Sequence, residues 1–213
     1  MPESEQDQLN DFAEPLRLLG DCHRRIERFL GVLIGVVEEH GGIELDGDTR
    51  RNFELALRYF HSAIALHTAD EEVSLFPRLL SDNSVSARDA VAAIRDLEQE
   101  HRTLTRAHDE IERIGRKWIN RKAISDEELA TLRAILVAVR DTYKSHIAIE
   151  DDVIFRVAGD ILAPLEIAMI GREMAMRRGL DPDSPASADR CSTRRALRAV
   201  LDKQDSALNQ EWK

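Results

Sequence analysis

Apolar residues at 16, 19, 26, 30, 33 and 37 are separated by threes, fours or their sum, the spacing of one face of an α-helix. They predict a helix from about Pro15 to His40, with Pro15 suited to its first turn. A second stripe at 53, 57, 60, 64 and 75 predicts a helix from about Thr49 to Leu80, its last turns perturbed by Pro77 and its end marked by SDNSVS. A third, opened near Ser86 by Ser-x-x-Asp, carries apolar residues at 94, 97, 104, 111 and 118 to about Asn120. The fourth opens on the capping box Ser125-x-x-Glu128 and keeps its stripe at 129, 132, 136, 139, 143, 153 and 157. Four long helices joined by short turns predict an all-α, antiparallel up-and-down four-helix bundle over residues 9–162. A shorter appended helix over 163–179 follows, from Pro164 and closed by Gly179. Residues 180–213 read as a linker, LDPDSPASADRCS, and a C-terminal amphipathic helix carrying Leu197, Val200, Leu201 and Leu208 beside Arg194, Arg195 and Arg198.

The stripes are interrupted by polar residues, and the interruptions repeat. HTADEEVSLF begins at His67 and HIAIEDDVIF at His146; LGDCHRRIER surrounds His23 and LEQEHRTLTR surrounds His101. The chain is therefore a duplicated helical hairpin, each copy written as His and then His-x-x-x-Glu. Positions i and i+4 lie one turn apart on one helix face, so each His-x-x-x-Glu turns an imidazole and a carboxylate together toward the bundle axis. Counted from the turns, the levels of His23, His67, His101 and His146 agree to within about 3 Å along the axis. His23, His67, Glu71, His101, His146 and Glu150 can therefore meet.

Composition narrows the chemistry. The formal charge of −10 opposes a phosphate-backbone partner, so no nucleic acid is expected. The acidic N-terminus is unlike a secretory signal, and FLGVLIGVV is far shorter than the roughly 20 residues that span a bilayer. A cytoplasmic protein with no membrane partner is expected, acting as a monomer or homodimer. Cys22 and Cys191 form no metal-binding or redox spacing and read as reduced thiols.

Two buried carboxylates among four imidazoles need a positive partner, and no Lys or Arg lies on the inward stripes at that level. A pair of metal ions supplies it. Four nitrogens and two bridging carboxylates offer each of two metals about four donors, where octahedral iron or manganese takes about six. Coordination positions are thus left for redox or small-ligand chemistry; a closed zinc site would call for thiolates.

With these residues, the chain resembles the hemerythrin-like, or HHE cation-binding, family over about residues 9 to 160. His67-x-x-x-Glu71-Glu72-x-x-Leu75-Phe76-Pro77 and the spacing of His23, His101 and His146-x-x-x-Glu150 carry the likeness. The resemblance implies two non-haem iron ions bridged by carboxylates, with an oxo or hydroxo bridge as a further element, and a diatomic molecule or peroxide as the ligand. Oxygen-carrying members place a further His four residues after the third-helix His, where this chain has Thr105; they use an Asp at the position of Asp151, which is the alternative to Glu150. The four-His, two-Glu set looks more like the family's peroxide-decomposing and iron-sulfur-cluster repair members, the latter usually carrying an additional Cys-bearing domain. Redox chemistry on peroxide, nitric oxide or oxygen under oxidative or nitrosative stress is the leading expectation. Oxygen or nitric oxide binding and sensing, and iron donation in repair, stand as alternatives. His108 lies about 10 Å along the axis from His101, too far to share one cluster, and His40 and His61 read as surface or helix-end residues. Tyr143 occupies the repeat position of Ile64, one turn from His146, either as a hydrogen-bonded core residue or as a group acting on the metals' ligand.

Overall fold

The computed structural model describes residues 12–180; the expected C-terminal amphipathic helix lies outside them. Helix α1 spans Pro15–His40 and stops at Gly41, whose φ of 55° is left-handed. Helix α2 spans Gly47–Ala69, starting two residues earlier than the apolar stripe predicts because Asp46 caps it, accepting the Asp48 and Thr49 amides at 3.0 and 2.9 Å. After a π-helical segment over Asp70–Leu75 the same rod continues as α3, Phe76–Ser81. Helix α4 spans Arg88–Arg121. Ser86 does not cap it; Ser84 Oγ instead accepts the Ala87 amide at 3.2 Å. Helix α5, Asp126–Ile149, has the predicted Ser125–Glu128 capping box and runs through a second π-helical segment, Glu150–Phe155, into α6, Arg156–Ile161. Helix α7 is Pro164–Arg177, followed by Gly179 at φ 72°.

Neighbours around the bundle run α1, α2, α4, α5 and back to α1, an all-α helical bundle. Two apolar clusters fill it. One gathers Ile26, Phe29, Leu33, Phe53, Leu57, Ile64, Leu104, Ile111, Trp118, Leu136 and Val139. The other gathers Leu18, Leu19, Leu75, Phe76, Leu79, Leu97, Ile154, Ile170 and Met174, the last two from α7. On every long helix the polar interruption falls between the two, so His23 follows Leu19 and precedes Ile26, and His101 lies between Leu97 and Leu104. The apolar clusters thus seal a buried polar layer from both ends. No helix among the described residues is long and apolar enough to cross a membrane.

Helix α7 locks onto this layer from outside. Asp70, fully buried at the start of the first π segment, pairs with Arg177 and with Arg178, whose Nη2 lies 2.6 Å from Oδ2. Arg177 also donates to Ser74 Oγ at 2.8 Å, and Arg78 pairs with Glu173 at 2.7 Å.

Candidate metal centre

All six inward residues predicted from the repeat come together and are at most 5 % exposed; Glu71 and Glu150 are fully buried. Donor atoms of His23, His67, Glu71 and Glu150 lie within 4.8 Å of one another, as do those of His101, His146 and Glu150. Glu150 belongs to both groups. His23 Nε2 stands 3.1 Å from Glu150 and 3.8 Å from Glu71; His67 Nε2 is 3.2 Å from Glu71, and His146 Nε2 is 3.1 Å from Glu150. Despite this closeness, none of the four carboxylate oxygens, nor His23 Nε2, has a hydrogen-bond partner. The donors converge on shared points rather than on each other.

The outer edges of the imidazoles explain the convergence. His23 Nδ1 lies 2.8 Å from Asp151, His101 Nδ1 2.9 Å from Glu72 and His146 Nδ1 2.8 Å from Glu100. An ionised carboxylate only accepts, so each Nδ1–H donates outward and the Nε2 lone pair faces inward, the tautomer a metal ligand requires. Between His101 and His146 this leaves two Nε2 atoms 2.9 Å apart, an arrangement that needs a cation or a shared proton. Asp151 is thus the outer partner of His23, 41 % exposed, while Glu150 is the inward carboxylate.

Glu72, Glu100 and the outer role of Asp151 were not read from the sequence, although a signal existed. Both copies of the repeat place a second acid directly after the inward Glu, Glu72 and Asp151, and each bonds the His of the next helix. Glu100 directly precedes His101, and its repeat counterpart is Cys22, before His23. A thiol in place of a carboxylate accounts for the one broken symmetry: His67 Nδ1 is buried without a partner.

Electrostatics follow from crowding. Burial would depress His23, but Glu150 and Glu71 outweigh it and raise the imidazole well above its usual range; His146 is raised similarly by Glu150 and Glu100. His67, buried and facing the charge of His23, is lowered. Glu71 is raised by burial and by Glu150, whereas Glu150 is held low by His146 and His23 against its own burial. A bound cation would displace the protons that the raised imidazoles otherwise take up.

The first π segment begins at Asp70, one residue before the inward Glu71, and the second begins at the inward Glu150. The first residue of each still bonds as in an ordinary helix end, Glu150 N–H to the His146 and Ile147 carbonyls and Asp70 N–H to those of Leu66 and His67, so the wider turns follow these residues. The wider turn changes the phase of each rod between the polar layer and the apolar residues beyond it. Pro77 is not the cause: its repeat counterpart is Arg156, and that copy is π-helical as well.

Thr105, where a fifth His would stand, commits its hydroxyl to the His101 carbonyl at 2.8 Å. Tyr143 sets its ring edge-on to His146, 6.2 Å between centroids, and its hydroxyl 3.2 Å from His108 Nε2. His61 is exposed and pairs with Glu112, and His40 ends α1. His108 is buried, and burial alone pushes it down to about 4. Because the unfolded imidazole titrates near 6.5, His108 contributes stability that is full above that pH and is lost as pH falls toward 4. The loss approaches about 3 kcal/mol. Urea unfolding at pH 7 and pH 4.5 should show a shallower acid loss for His108→Phe than for the parent; equal slopes would contradict this.

Comparison with known proteins agrees with the geometry. The chain is 27 % identical over 177 residues to a Haemophilus influenzae protein described only as uncharacterized, covering 82 % of this chain and 95 % of that one. No solved structure matches it. The model of the hemerythrin HHE cation binding domain matches residues 14–159, which include every residue of the buried layer, and the chain belongs to that family.

Proposed function

We propose that the layer holds two iron ions and that the protein reduces peroxide, in a role defending against oxidative or nitrosative stress. His23, His67, Glu71 and Glu150 would hold one ion and His101, His146 and Glu150 the other, and Glu71 lies 3.5 Å from His101 Nε2. The observation that carries this reading is the set of buried carboxylate oxygens without hydrogen bonds, faced by imidazoles whose outer nitrogens are tied to acids. An all nitrogen and oxygen donor set, with no thiolate, suits iron better than structural zinc. The ion pair supplies ferrous and ferric states, and thus two electrons for one peroxide.

The chain's own residues do the rest. Asp151, Glu72 and Glu100 fix three imidazole tautomers and raise their basicity. The apolar clusters exclude bulk water from above and below. Thr105 commits its hydroxyl to the His101 carbonyl and adds no donor to the layer, so the six inward residues alone would leave coordination positions for an exogenous ligand. Tyr143, with its hydroxyl on His108, stands beside His146 as a side chain poised to influence the oxidised centre.

Anaerobic reconstitution should give two irons per chain; fewer than one, or a single tightly held zinc, would overturn the assignment. Ferrous protein should reduce one hydrogen peroxide per chain, and repeatedly when an external reductant is supplied, and His101→Ala should abolish this. A reversible oxygen spectrum without turnover would instead make the protein a carrier or sensor. Tyr143→Phe should keep full iron content and alter the decay of the oxidised spectrum; an unchanged decay would assign Tyr143 to packing alone.

A further inference from the structure

A groove of about 330 Å³ lies between α2 and α4, outside the buried layer. It holds roughly ten times a water molecule's share of liquid volume, about 30 Å³, and falls at the lower end of small-molecule sites, about 300–1,000 Å³. Peroxide does not need that space. Phe60, Ile64, Ala65 and Ala69 contribute apolar wall, while Glu72, Asp109 and Glu112 contribute carboxylates, and no Lys or Arg lines it.

Two lining residues touch the layer's surroundings directly. Glu72 accepts the His101 Nδ1–H at 2.9 Å. His108 faces the Tyr143 hydroxyl at 3.2 Å, and the Tyr143 ring meets His146 edge-on. The groove is therefore one residue away from His101 and two from His146, whereas the six inward residues are themselves too buried for an organic molecule to reach. A protein that reduces peroxide repeatedly needs electrons from outside, and this is where the fold brings a bulky donor closest.

We infer that the α2–α4 groove binds the reducing co-substrate, an electron-rich aromatic amine. The inference rests on the peroxide reading above. The balance is two amines, one hydrogen peroxide and two protons giving two amine radical cations and two waters: the O–O bond breaks, each amine nitrogen loses one electron, and solvent supplies the protons. The groove suits both ends of that change. Phe60 and the aliphatic wall take the ring, and the exposed carboxylate of Asp109, with Glu72 behind it on His101, favours the cationic product. Glu112 is paired with Arg116 at 3.2 Å and with His61 at 2.7 Å, so Asp109 is the lining carboxylate that disfavours an anionic reductant.

The test uses full-length protein and tetramethyl-p-phenylenediamine, with a disulfonated aromatic reductant of similar potential as the anionic control. Calorimetric titration should show one diamine site per chain, weakened at least tenfold by Ala65→Trp, which fills the groove. Asp109→Lys, an exposed reversal that leaves the fold intact, should raise KM for the diamine several-fold with KM for peroxide unchanged, and should improve use of the anionic control. Diamine binding that neither variant weakens, or equal use of both reductants, would overturn the groove assignment. If peroxide is consumed by the ferrous protein but no diamine binds, only the groove reading falls; if the diamine binds as described but peroxide is not turned over, the peroxide reading falls and the site remains as a binding site for aromatic amines.

Discussion

Iron loading should raise the melting temperature by about 10 °C or more, and chelation should reverse it. In the metal-free layer the Glu71 and Glu150 oxygens are buried without hydrogen bonds, and such groups cost about 1–3 kcal/mol each. A ligand at about 100 times its Kd stabilises the folded state by about 2.7 kcal/mol, so two ions at that level contribute about 5 kcal/mol. For a domain of this size each kcal/mol moves the melting temperature by about 2–4 °C. Differential scanning calorimetry of apo and loaded protein measures it directly. An apo protein melting no lower than the loaded one would mean that the layer is satisfied by its own proton sharing. Glu150→Gln should remove most of the shift, because Glu150 serves both donor groups.

The second large effect belongs to α7. Replacing Arg177 and Arg178 together by Met should cost about 3–5 kcal/mol, since Asp70 would then be an ionised carboxylate buried without its partners. Asp70→Asn in the double variant should recover much of that loss, because the charge, not the contact, makes the burial costly. Urea denaturation of the three proteins decides it; a double variant as stable as the parent would show that water reaches Asp70. Since Asp70 precedes Glu71 in the first π segment, the double variant should also lower iron occupancy.

Sequence alone determined the bundle and the six inward residues, because both depend on periodicity. A helix repeats every 3.6 residues, so apolar stripes located four rods, and polar residues breaking those stripes at matched levels had to face one another. The duplication supplied a second reading of each half. The same rule fails where the backbone departs from the α-helix. Both π segments contain the inward acids, Glu71 and Glu150, and spacings of three and four accommodate them without a visible break.

Only the tertiary structure decided the roles of the neighbours. Adjacent acids such as Glu150 and Asp151 differ by about 100° around a helix, and the bundle's handedness and the π turn decide which faces the layer and which reaches around to His23. Glu72 and Glu100 act on imidazoles of the next helix, contacts set by which rods are neighbours rather than by spacing within one. His108 lay too far along the axis to join the six, as its position on α4 implied, but its partner Tyr143 comes from another helix. The hold of α7 on Asp70 joins residues more than 100 positions apart. Local periodicity carries no information about such pairs, because side chains from separate rods meet only after the rods have packed.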